Sequence, residues 1–421
     1  LKLTSTEWRL SALMTTVQLV GVLSFMIVMP LGPDFTRDLG IPPAQVGWIM
    51  AGYTIASAFG GISSALFIDR FDRRPALAMA LTGLILGNIA AAMAWNLESL
   101  IAARIFSGLF GGPAAALSVS VVADNVPIER RGQAMGMVTS AISIGAVFGI
   151  PLGLEIAHLT SWRVTFLAVA GLGVALMIFS MTMLPSQRLH LADMPADRGN
   201  PLMRLMRIAA RRSTLLALAL AAVAIIPGFM VMTNLPVFLQ FNLDFPREDL
   251  GLLYMVGGVV SFFGMRWTGQ LVDRFGSTPV TLATTAGMAA TIWLIFVGRD
   301  WVALPALLLV PCSMMFNTAR IVAQSTAVSK VPDPGERAGF MALVQACTQV
   351  FSSIGAMGAA TVLDSAPDGS LLHVQTVAIL AILVSVPAPY LMWRLERMVP
   401  RHAASSHRVK AVAARANTPP G

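Results

Sequence analysis

Three arginines, Arg104, Arg266 and Arg320, stand inside long apolar stretches of the chain. A guanidinium stays charged at any working pH, so at membrane depth it must snorkel to an interface, meet an acid or face an anion. No acid lies in the middle of any apolar stretch; the nearest are Asp34, beside Pro33, and Glu155, just past Gly153. These two carboxyls are the candidates for proton coupling, because desolvation and a nearby arginine both move the titration of an acid at the edge of hydrocarbon. Arg266 precedes a charged loop by one turn and can reach the interface, and snorkelling is open to Arg104 as well. Uncharged polar side chains inside the stretches are Gln18, Asn234, Gln240, Asn317, Gln324, Gln345 and Gln349. They nominate a path for a polar solute, with Gln345 and Gln349 one turn apart on a shared helix face. Other chemistry is poorly represented. The histidines (His158, His190, His373, His402, His407) are scattered, and Cys312 and Cys347 lie in apolar runs, so neither a metal site nor a disulfide framework is expected. A Walker sequence is lacking, which excludes ATP hydrolysis as a motor, and no cofactor is implied. A polytopic membrane enzyme is thereby a distant reading.

The elements that must position these residues are membrane helices. Of 421 residues, 56% are hydrophobic and 12% charged, where an ordinary soluble domain carries about 25% charged residues. Apolar runs close at about residues 10 to 32, 45 to 68, 75 to 95, 98 to 122, 133 to 157, 162 to 184, 213 to 239, 249 to 272, 279 to 298, 302 to 327, 338 to 363 and 373 to 394. Each is long enough to span a bilayer. They are apolar all round, unlike the alternating strands of a membrane β-barrel. The fold class is therefore an all-α polytopic membrane protein with twelve transmembrane helices.

An even number of spans puts both termini on one side. Loops on that side carry 22 Lys and Arg against 4 on the other, which predicts cytoplasmic termini by the positive-inside rule. This one-sided distribution accounts for the net charge of +8 and disfavours nucleic acid as a partner. The chain divides into a half at 1–184, a linker at 185–212, a second half at 213–396 and a tail at 397–421 expected to be disordered. Arg204 to Arg212 in the linker reads as a basic amphipathic helix facing anionic lipid.

The halves repeat one another. Asp69-Arg70-Phe71 with Pro75 recurs as Asp273-Arg274-Phe275 with Pro279, and Val126-Pro127, Glu129-Arg130 and Gly132 recur as Val331-Pro332, Glu336-Arg337 and Gly339. Two pseudo-symmetric six-helix halves in parallel orientation place a cavity between them and let them rock about it.

The chain here resembles the major facilitator superfamily over residues 10 to 394. The family's loop signature appears as Ala65-Leu66-Phe67-Ile68-Asp69-Arg70-Phe71-Asp72-Arg73-Arg74 and again as Gly269-Gln270-Leu271-Val272-Asp273-Arg274-Phe275-Gly276. Leu100, Arg104 and Gly108 follow its second motif. Gly145-Ala146-Val147-Phe148-Gly149-Ile150-Pro151-Leu152-Gly153 is similar to the exporter-associated glycine pattern, with the proline displaced by one position and Leu154 where a final glycine is usual. With Ser161-Trp162-Arg163 after it, this run resembles the drug and sugar efflux branch, its arabinose-efflux-permease-like members in particular.

The resemblance implies a monomeric secondary transporter in the lipid of the bacterial inner membrane, exporting a small organic solute by alternating access with proton antiport. A facilitator or exchanger for an anionic solute, without proton coupling, is the alternative. In this family spans one, four, seven and ten line the cavity, which favours Gln18, Arg104, Asn234, Asn317 and Arg320, joined by Gln345 and Gln349, as substrate contacts. Arg104 and Arg320 are then expected to approach one central space from opposite halves. Asp69, Arg70, Arg73, Glu129, Arg130, Asp273, Arg274, Glu336 and Arg337 are the candidates for a cytoplasmic latch. Gly145, Gly149, Pro151 and Gly153 form a close-packing and bending segment.

Overall fold

The computed structural model describes residues 3–67, 72–183, 201–298, 305–332 and 336–398. Twelve helices among them are long and apolar enough to cross a membrane: Ser5–Met26, Pro43–Ser64, Arg73–Ala92, Leu97–Asn125, Glu129–Leu159, Trp162–Met183, Arg212–Asn242, Asp249–Phe275, Ser277–Phe296, Ala306–Val328, Gly339–Val362 and Val374–Met398. They are called spans one to twelve. The side bearing Thr4 and Met398 is the terminal face, and the opposite side is the distal face.

Proline and glycine decide where these helices depart from uniform spans. Span one ends at Met26, earlier than the apolar run, and a separate short helix, Gly32–Leu39, follows on the distal face. Pro30 and Pro33 interrupt the donor ladder there, and Gly40, at φ 65°, ends the short helix in a left-handed conformation that favours glycine. Span five contains a π turn at Gly145–Gly149, in which the Ile150 N–H donates to the Gly145 carbonyl five residues back. Pro151 has no N–H to continue an α ladder, and one wide turn absorbs the defect. Span seven holds Pro227 and ends in a second π turn at Phe238–Asn242. In span twelve, helices Val374–Ser385 and Ala388–Met398 meet at Pro387.

The described part of the linker contains a helix at Pro201–Ala209. It buries Ile208 with Phe340 and Val344 of the second half and leaves Met203 and Met206 exposed. A two-stranded hairpin, Asp364–Ser365 with Leu371–Leu372, joins spans eleven and twelve on the distal face.

The core is not uniform through the membrane. On the distal side a single apolar cluster includes Ile27, Phe35 and Ile49 of the first half with Leu235, Val237 and Leu253 of the second. Toward the terminal face each half has its own cluster, around Leu13, Leu77 and Leu117 in one and Leu220, Val272 and Phe340 in the other. Apolar burial thus welds the halves at one end only.

Candidate functional site

The seam between the halves is built from two span pairs that use different chemistry. In spans two and eleven, hydroxyls meet: Thr54 Oγ1 lies 2.6 Å from Ser353 Oγ, Ser353 donates to the Ala51 carbonyl at 2.9 Å, and Gln349 Nε2 donates to Ser57 Oγ at 3.1 Å. Gly47 sits against the Ala356 carbonyl, where any side chain would collide with backbone. In spans five and eight the contact is bare backbone. A Cβ on Gly258 would stand 3.0 Å from the Ala146 carbonyl oxygen inside the π turn. Small residues let helices approach this closely in a bilayer. Further toward the terminal face, Gly136 of span five and Gly269 of span eight both face open space. The halves therefore touch distally and diverge toward the terminal face.

Polar links close the distal end. Asp34 on the short helix pairs with Arg247 of the second half at 2.5 Å, and Arg247 Nη1 lies 3.3 Å from His158 Nδ1. Arg37 donates to Gln240 at 2.9 Å and sits 5.7 Å over the Phe241 ring. The Ala44 N–H donates to Ser365 Oγ at 3.1 Å. Burial pushes the Asp34 carboxyl above its ordinary range, while Arg247 and Arg37 pull it down and Asp38 adds a smaller upward push. Glu155, the other acid singled out from sequence, is exposed.

Arg104 and Arg320 are both fully buried, and the structure does not bring them together. Arg104 turns into the first half. Its guanidinium stands 4.4 Å over the Tyr53 ring and 5.9 Å from that of Phe166, and Nη1 donates to Ser24 at 3.4 Å. Ser24 in turn donates to Asn88 at 3.1 Å. Arg320 turns into the second half, where Nη2 donates to the Ala224 carbonyl at 2.6 Å. The shared central space expected from the repeat is thus corrected. Arg104 lies seven residues into its helix and Arg320 fourteen, so they differ in depth by about 10 Å at helical rise, and each packs toward its own bundle.

The remaining candidates divide similarly. Gln18 shares a helix face with Gly21 and Phe25, and the Phe25 ring reaches Tyr53 at 5.6 Å and Phe229 of the second half at 6.1 Å. Gln18 and Gln349 therefore border the inter-half space, with Gln345 exposed one turn away. Asn317 packs against Gly228 of span seven. Asn234 lies beside a water-sized cavity of about 10 Å³ with Phe238, Phe296, Leu363 and Val377, away from the seam. A larger concavity of about 310 Å³, lined by Trp267, Leu271, Phe275, Met315 and other apolar groups, opens on the outer flank of spans eight to ten. The glycines of span five pack on span one: Gly145 on Val22, Gly149 on Leu23 and Gly153 on Ile27.

Of the latch candidates, Asp69 and Arg70 lie outside the described residues, and of Arg337 only the backbone is described. Arg73 pairs with Asp124 at 3.2 Å, Arg130 with Glu7 at 2.9 Å and Arg211 with Glu336 at 2.6 Å, each within one half or its adjoining linker. Glu129, Asp273 and Arg274 are exposed, Arg274 lying over the Phe275 ring.

Sequence reasoning did not single out Thr54, Ser57, Ser353, Tyr53, His158 or Arg247. The polar spacing at 54 and 57 against 349 and 353 was the available signal for the span pair. Nothing local marks His158 and Arg247 as partners.

The family profile described as Major Facilitator Superfamily matches residues 14–356. An MFS-type transporter, YtbD, of Bacillus subtilis (strain 168) is 24% identical over 265 residues, covering 63% of this chain and 65% of the relative. The alignment therefore spans just under two thirds of that relative's length. A probable sugar efflux transporter of Helicobacter pylori (strain P12) is 23% identical over 271 residues, covering 64% of this chain and 67% of the relative. Among solved structures, a bacterial homologue of the human lysosomal transporter Spinster, inward-facing and unoccupied, matches with TM-score 0.71 at 12% identity, covering 94% of this chain and 98% of the other. The D-xylose–proton symporter matches with TM-score 0.71 at 16% identity over 92% and 97% of the two chains. These structural likenesses establish the fold.

Proposed function

The chain belongs to the major facilitator superfamily, and we propose that it exports a small organic solute across the bacterial inner membrane by alternating access with proton antiport. The terminal face is cytoplasmic in this reading, because loops on that side carry the excess of Lys and Arg. The structure is then inward-facing, the state in which an exporter accepts its cargo. The observation that carries the reading is the seam itself: halves joined distally by Asp34–Arg247, Thr54–Ser353 and Gln349–Ser57, and parted at Gly136 and Gly269. The efflux named for the Helicobacter relative supports the direction.

Asp34 is the acid placed to sense protons on the outer side. Its carboxyl titrates higher when buried in the closed gate than when hydrated, so the neutral form favours distal closure. Lowering the outer pH therefore draws the protein back to the cargo-accepting state, the direction an antiporter needs. Raising the pH above the buried pKa removes that bias.

The test is solute movement in proteoliposomes with an imposed pH gradient. Acidifying the outer side should accelerate export of a transported solute several-fold, and Asp34→Asn should abolish the acceleration. Export indifferent to the gradient in the wild-type protein would instead support the facilitator or exchanger reading.

A further inference from the structure

Arg320 is a cation of the membrane interior whose charge the protein leaves unmatched. One of its nitrogens reaches the Ala224 carbonyl, while Nε and Nη1 find no acceptor among the described residues. Arg104, equally buried, also leaves Nε and Nη2 without an acceptor, but it has the Tyr53 and Phe166 rings beside it; no described ring takes that part for Arg320. Nor does an acid, since no Asp or Glu occurs from residue 310 to residue 330 or anywhere in Arg212–Asn242 opposite.

Arg320 also belongs to a stripe. Ser313, Asn317, Arg320 and Gln324 recur at steps of four, three and four, which puts them on one face of span ten. Ser313 Oγ and Asn317 Oδ1 are buried without hydrogen-bond partners too. Native proteins leave few such atoms, because each costs its full desolvation in a medium of low dielectric. The opposing surface of span seven is nearly featureless, with Ala224 against Arg320 and Gly228 against Asn317. Pro227 interrupts that helix's donor ladder at the same level, a place where the two spans can part. The stripe faces span seven inside the second half, and Phe229, next to Gly228, meets the Phe25 ring of the other half at 6.1 Å, so parting of the two spans at Pro227 is what opens the stripe to the inter-half space.

We infer that this stripe is an oxyanion site, taking the carboxylate or phosphate of a small organic solute. Arg320 supplies charge-assisted N–H bonds to the anion, and Asn317 and Ser313 bond the solute's uncharged polar groups. The inference rests on the transporter reading and adds a substrate class to it. The site is one-sided: the first half holds its buried arginine with its own side chains and contributes no second cation.

Matched probes isolate the charge. In the purified full chain, thermal unfolding is followed with D-glucuronate and D-glucose 6-phosphate against D-glucose, and with benzoate against benzamide. At least one anion should stabilise the wild-type protein at a concentration tenfold below that at which its neutral counterpart acts, and the two glucose-derived anions separate carboxylate from phosphate preference. Arg320→Gln should erase the preference, and Arg320→Lys should keep part of it. Should Arg320→Gln fail to fold, Arg320→Lys carries the test of preference, reducing it about threefold, and Asn317→Leu should weaken the anion and its neutral partner alike. Equal effects of anion and neutral partner on the wild-type protein, or a preference unaltered in the Arg320 variants, overturns the site. Gradient-driven export of neutral solutes alone would also overturn it while leaving the exporter reading standing; anion binding without solute movement would do the reverse.

Discussion

Arg104 and Arg320 pose the same physical problem and receive different solutions. Each is a fully buried guanidinium, and stripping water from such an ion costs several kcal/mol. The first half answers with two aromatic faces and a hydroxyl held by Asn88. The second answers with one backbone carbonyl. Each leaves two guanidinium nitrogens without an acceptor, so the difference lies in the rings: the first charge has aromatic faces beside it, and the second has none among the described residues. Duplication copied the bundle without copying the surroundings of its buried arginines.

The sharpest way to break this contrast is to make both residues apolar. Arg320→Leu should lower the affinity for an anionic probe by about 100-fold, as loss of a buried charge-assisted contact does. The same change should raise the stability of the unliganded protein by about 2 kcal/mol, because an uncompensated ion is replaced by an apolar side chain. Arg104→Leu should do the opposite to stability, lowering it by about 2 kcal/mol through lost cation–π and hydroxyl contacts. Thermal unfolding of the two variants side by side decides it, and destabilisation of the same size in both would erase the distinction.

Tyr53→Leu sharpens the comparison from the other side. Removing the ring under Arg104 should cost about 1–2 kcal/mol, and the loss should be strongly sub-additive with Arg104→Leu in a double-mutant cycle. The smallest effect is expected at the seam. Thr54→Val removes the hydroxyl contact with Ser353, and an interhelical hydrogen bond in a membrane averages about 0.6 kcal/mol. The ratio of distal-closed to distal-open protein should fall about threefold, as labelling of a cysteine placed on the distal side of the seam would report.

Much of the fold was legible because the bilayer is a demanding solvent. The twelve apolar runs match the twelve helices closely, and errors fall where local backbone chemistry intervenes. The run read as 10 to 32 is a helix to Met26 followed by a separate helix from Gly32, since Pro30 and Pro33 cannot extend the ladder. The bend foreseen at Gly145–Gly153 takes the form of a π turn, a detail set by how Pro151 and the glycines pack on Val22, Leu23 and Ile27. The site was legible in residue type and not in orientation. Asn234, Asn317 and Arg320 were singled out as polar, and they face the interior of the second half, because a helix projects side chains all round and span membership does not say which side meets the cavity.

By itself the sequence determined that this chain is a duplicated twelve-helix membrane protein with its basic loops on one side. Hydrocarbon thickness, backbone hydrogen bonding and loop charge act residue by residue, and each leaves a one-dimensional trace. Only the tertiary structure decided which face is closed, that Asp34 meets Arg247 across 213 positions of chain, and that the two buried arginines never share a pocket. Those outcomes depend on the rotation of each helix about its axis and on the angle between the halves. Both are set by many small packing contacts, and no single stretch of sequence records them.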